Sequence, residues 1–164
     1  MTPHFFWVSL LLLLGGGETT DENKPALAKE SRLVLSNAQG EPLLELFVDE
    51  MSGNAENGIE MVGVQGVISL EESVTFSSGG GGWDPSTQIV RLDRVEMIGE
   101  SGWKLVAEEV WYVLLDGDIS TEGSFSFQYQ RMLLTGKGLR VDLETLSGRV
   151  EERAVLESIR PPSP

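Results

Sequence analysis

Asp116, Asp118, Ser120 and Glu122 place oxygen side chains at alternate positions, which is how a calcium loop presents its ligands. The sixth residue of that loop would be Thr121, where the sharp turn calls for glycine. Asp116-Gly117 reads more simply as a β-turn pair. Gly79-Gly80-Gly81-Gly82 would suit a phosphate cradle if a Lys-Ser/Thr pair followed, but Trp83-Asp84-Pro85 follows instead, so the run is read as a hairpin loop. Three carboxylate pairs, Glu71-Glu72, Glu108-Glu109 and Glu151-Glu152, suggest acid/base chemistry at first sight. Adjacent residues of a strand face opposite sides, however, so such a pair does not present two carboxylates to one substrate. These glutamates are expected at solvated strand edges, where charge discourages pairing with foreign strands. The chain has no cysteine and one histidine, His4. Neither a Ser-His-Asp nor a Cys-His arrangement can be built from the body of the chain, nor a zinc site of the usual ligands. The sequence points to no catalytic residue, no metal and no cofactor.

The elements that would carry these side chains are short. Apolar stretches at 32–35, 43–48, 59–64, 67–76 and 88–98 alternate with polar breaks at 37–40, 52–58 and 77–82, the spacing of a chain of many strands. Residues 124–134 show period two plainly, with Phe125, Phe127 and Tyr129 on one side and Ser126, Gln128 and Gln130 on the other. Residues 103–115 fit a helical stripe as well as a strand pair, and their flanking turns and β-branched and aromatic content favour the strands. A faint repeat runs through the β segments: Ile68-x-Leu70 then Val74-x-Phe76, Val90-x-Leu92 then Val95-x-Met97, and Leu146 then Val150. In each the apolar alternation breaks once and resumes, as a bulge would cause, and repeated bulges curve a sheet.

Residues 1–17 hold an apolar run with Gly15-Gly16-Gly17 behind it and no charged residue. The run reads as a signal peptide, being about half of the ~20 residues that span a bilayer; a membrane anchor is the alternative. Residues 18–30 read as a polar linker, 31–160 as one folded domain, and 161–164 as a tail. The net charge of −14 repels phosphate backbones and anionic membrane surfaces, which disfavours nucleic acid as a partner.

Gln88-Ile89-Val90-Arg91-Leu92-Asp93-Arg94-Val95-Glu96-Met97, then Gly102-Trp103-Lys104-Leu105, then Leu134-Thr135-Gly136-Lys137-Gly138-Leu139-Arg140-Val141-Asp142-Leu143 resemble three strand segments of the LptC/OstA family of lipopolysaccharide-transport proteins. The resemblance implies an all-β fold, a half-open β-jellyroll of curved antiparallel strands. It also implies periplasmic location, either free after signal cleavage or tethered by the N-terminus to the inner membrane. Lipid A acyl chains would occupy the inner face. Partners would be lipopolysaccharide, like domains joined by strand addition, and an ATP-driven inner-membrane exporter. The family carries no catalytic residues to transfer. Periodicity supplies the candidate groove residues: Phe76, Val90, Leu92, Val95, Met97, Leu105, Phe125, Phe127, Met132 and Leu134. Two other readings stand beside this one, a secreted β-sandwich module for glycan or calcium and, last, a carboxylate hydrolase.

Overall fold

Alternation of large apolar and polar side chains decides the secondary structure throughout. The computed structural model describes residues 26–36, 39–54, 57–69, 72–114, 116–143, 145 and 147–159; the expected export segment and tail lie outside these. The described residues form ten strands: β1 (Ala26–Ser36), β2 (Pro42–Asn54), β3 (Gly58–Ser69), β4 (Ser73–Asp84), β5 (Ile89–Gly99), β6 (Lys104–Val113), β7 (Asp118–Tyr129), β8 (Met132–Asp142), β9 (Ser147–Val150) and β10 (Ala154–Ser158). All pairings are antiparallel, and β1 to β8 follow one another in space as in sequence. Both β9 and β10 then pair with β8, one against each half of it. The sheet is open and jellyroll-like, because β1 and β10 lie at opposite ends of the order and do not meet.

Each long strand keeps its alternation only to its midpoint. In β3 the buried side chains are Ile59 and Met61, then Val64 and Ile68; in β5, Val90 and Leu92, then Val95 and Met97; in β6, Leu105 and Ala107, then Val110 and Tyr112. The odd-even phase slips once in each. These slips are in register. Asp49, Gly63, Gly79, Arg94 and Glu108 stand opposite one another on successive strands, and at each of these ladders the regular pairing skips that row. Left-handed backbone marks the same row, at Glu30 (φ 48°), Gly63 (φ 61°), Arg94 (φ 54°) and Gly138 (φ 70°). The row continues to the far edge, where Glu151 N–H donates to Gly138 O at 2.8 Å as the chain passes from β9 to β10.

A line of bulge-like breaks across a sheet is a crease, since each break adds a local bend. The crease divides the sheet into two halves whose apolar sides turn toward each other. No helix among the described residues covers that side, so the sheet covers itself, and Leu33, Leu46, Val90 and Met97 are fully buried. Burial is not uniform along the stack. Inner positions of β2 to β6 are sealed, whereas Ala28 at the β1 edge and Phe127, Tyr129, Leu134, Val141 and Val150 toward the β7–β9 end are only partly buried.

Several local expectations need correction. Ser77 to Gly82 is not a hairpin loop but the interior of β4. The glycines there answer close approach, not turn geometry: a Cβ on Gly80 would come within 2.8 Å of Met61 O, and one on Gly79 or Gly81 would collide with the Arg94 guanidinium or Arg91 O. Residues 67–76 span the end of β3 and the start of β4 rather than one strand, so the Ile68 and Val74 segments of the repeat belong to two strands. The β5 copy does contain the slip. Leu146 of the third copy lies outside the described residues. The 103–115 stretch holds one strand, β6, not a pair and not a helix. The described part of β1 already includes Ala26 to Glu30, inside the expected linker, because β1 pairs with β2 from Ala26↔Gly53 onward, and ladder hydrogen bonds do not require apolar side chains.

Candidate functional site

At the less sealed end of the stack the two halves stand apart around a cavity of about 450 Å³. One half supplies Trp103, Leu105, Phe127, Tyr129 and Leu134; the other supplies Ile119, Leu139, Val141 and Val150, with Ser101 and Gly148 at the margins. That one cavity takes its walls from both sides of the crease is direct evidence that the halves face each other. None of its lining residues carries a charge, in a chain of net charge −14.

The local sequence explains each wall. Leu105 and Phe127 are cross-strand partners on β6 and β7, and Phe127 is in turn opposite Leu134 on β8, so three period-two strands bring one apolar side chain each into a single row. Trp103 precedes β6 and stacks on Phe127 with ring centroids 5.9 Å apart. Its indole N–H donates to Glu72 Oε2 at 3.2 Å, and the same carboxylate accepts from Ser101 N–H at 2.5 Å. Partial desolvation would raise the Glu72 pKa, but hydrogen bonds from Ser101 and Trp103 outweigh it and hold the pKa below the ordinary 4.5.

On the opposite, outer face of β7 to β9 lies a polar cleft containing Asp118, Arg140, Asp142 and Arg149, because successive residues of a strand point to opposite sides. Its arginines are already matched: Arg140 Nε donates to Asp118 Oδ2 at 2.8 Å, and Arg149 pairs with Glu151 at 3.4 Å. The Asp118 pairing raises the Arg140 pKa further above its ordinary value. Asp118, Ser120 and Glu122 lie within β7 and not in a loop, and no group of three or more acidic, histidine or cysteine side chains among the described residues is placed to hold a metal ion.

Of the ten groove residues expected from periodicity, Leu105, Phe127 and Leu134 line the cavity. Phe76, Val90, Leu92, Val95, Met97 and Phe125 belong to the sealed core instead. They have the right face but the wrong place along the stack, where the halves are already packed together. Met132 is 49% exposed and stands off the cavity lining. Trp103, Ile119, Tyr129, Leu139, Val141 and Val150 were not expected there. The alternation of Phe127 with Tyr129 and of Leu139 with Val141 is a usable signal for three of them, Tyr129, Leu139 and Val141. Val150 stands in the third copy of the faint repeat, and for Trp103 and Ile119 no comparable pattern marks the site.

No known protein-family model matches the chain, and a search of curated proteins finds no match.

Proposed function

We propose that this protein binds lipopolysaccharide in the periplasm and passes it toward the outer membrane, with acyl chain held between the halves of its creased sheet. The observation that carries the reading is the uncharged apolar cavity between β6 and β9. Burying hydrocarbon contributes about 0.8 kcal/mol per methylene, so a dozen methylenes supply roughly 10 kcal/mol gross before the costs of association. That is ample without any charged contact, and Arg140 and Arg149 lie on the outer face of the sheet with carboxylate partners of their own. The grip is therefore on the tail, not the phosphates.

The reading includes partners. The outer edges of β1 and β10 end the strand order and offer backbone groups for strand addition by like domains; an inner-membrane exporter would be the upstream donor. In this reading the protein is a carrier and not an enzyme. The test is displacement: load the full chain with a fluorescent single-chain amphiphile and titrate lipopolysaccharide. Stoichiometric displacement is expected. A probe that binds and is not displaced by lipopolysaccharide would refute this assignment.

A further inference from the structure

The cavity has an end, and the side chain that makes it is held from outside. Strands β1 to β5 contribute no lining residue; the lining starts with Ser101, Trp103 and Leu105. Beyond them the space between the halves is occupied by the protein's own core, including Phe76, Val95 and Met97. Trp103 leans toward that filled side, over Gly99 of β5, where an added Cβ would collide with the indole nitrogen. Its ring is fixed on the other side by Phe127. Glu72, in the turn leading into β4, receives both the indole N–H and the Ser101 N–H. One carboxylate thus ties the β3–β4 turn to the β5–β6 turn and sets the angle of the tryptophan.

Resting on the acyl-chain reading of this cavity, we infer that Glu72 and Trp103 form a latch that fixes its depth, and thereby the length of the single hydrocarbon chain it accepts. Trp103 is the specificity-determining wall and Glu72 its positioning residue. The occupant follows from size and charge. A methylene needs about the volume of a liquid water, roughly 30 Å³, so 450 Å³ holds one chain of about fifteen carbons and not several. The uncharged lining admits a tail and excludes an ionised headgroup.

Alkyl maltosides from octyl to octadecyl, titrated below their micelle concentrations into the full chain, test this. Affinity for the unmodified protein should rise roughly three- to fourfold per methylene and level off near about fifteen carbons. Trp103→Ala and Glu72→Ala should move the levelling-off point to longer chains. Glu72→Gln keeps one carbonyl acceptor where both carboxylate oxygens now accept, so it should move the point less than Glu72→Ala does. A merely structural role would weaken all chain lengths alike and leave the point where it was. If Trp103→Ala does not fold, Trp103→Phe replaces it: Glu72→Ala should shift the point in the Trp103 protein and add nothing in the Phe variant. An unmoved levelling-off point with binding intact overturns the latch alone. No binding of any maltoside by the folded protein overturns both the latch and the acyl-chain reading.

Discussion

Leu92→Ala and Leu134→Ala remove the same atoms from neighbouring regions of one apolar face, and their consequences should diverge. Leu92 is 1% exposed in the sealed part of the stack, so truncation opens a new void. Losses of about 3–4 kcal/mol are usual for such a site, combining lost transfer energy with the cavity term. Leu134 is only partly buried and already borders 450 Å³ of open space; its truncation widens an existing cavity and should cost about 1 kcal/mol. Urea denaturation of the two variants reads the difference, and at roughly 2–4 °C per kcal/mol for a chain of this size the melting temperatures would separate by several degrees. Ligand binding should reverse the order. Leu134→Ala should weaken binding of an alkyl maltoside roughly five- to tenfold, about 1–1.4 kcal/mol of lost contact, while folded Leu92→Ala binds within about twofold of the unmodified chain. Equal stability losses would refute the division into sealed core and open cavity. So would a folded Leu92→Ala protein that binds as poorly as Leu134→Ala.

Gly63→Ala should cost about 1–2 kcal/mol in chemical denaturation, because φ 61° is left-handed. The added Cβ also meets the Asp49 carboxylate, but Asp49 is exposed and can rotate away, so combining it with Asp49→Ala should recover only a few tenths of a kcal/mol. Ser78→Ala should cost about 1–3 kcal/mol: the buried hydroxyl accepts from Gly80 N–H at 3.2 Å and lies 2.5 Å and 2.8 Å from the carbonyls of Gly80 and Asp93, and alanine leaves these groups without it. The Glu72 pKa is depressed below 4.5, so the ionised side chain's stabilising contribution is full above that ordinary value and is lost as pH falls through the folded pKa. The stability gap between the unmodified protein and Glu72→Gln should therefore be flat from neutrality to about pH 5 and shrink below it; a gap that widens on acidification would contradict the sign.

Period two was legible wherever a strand stays in one phase, as in Phe125, Phe127 and Tyr129. The phase slip was legible once, at Asp93-Arg94 between Leu92 and Val95. It is hidden in β4, where a run of glycines reads as a loop. A glycine run signals conformational freedom and close approach with the same letters. Only the strands on either side, with Met61 O and Arg91 O against Gly80 and Gly81, distinguish the two. The candidate site divided in a similar way. Apolar residues on the inner face were found in number, but Leu92 and Leu134 look alike in sequence. Which of them meets a cavity depends on how many strands follow in the stack.

Alternation, turn spacing and the absence of cysteine and of histidine beyond His4 are properties of the chain itself. They determined an all-β body of many strands with one apolar face and removed the commonest catalytic arrangements, because side-chain period and chemical inventory are local. The crease, the pairing of the two halves across a cavity and the contact between Glu72 and Trp103, 31 residues apart in sequence, were decided only by tertiary structure. Each depends on register between strands distant in sequence. A one-residue slip means nothing in a single strand until its neighbours slip on the same row and fold the sheet along it.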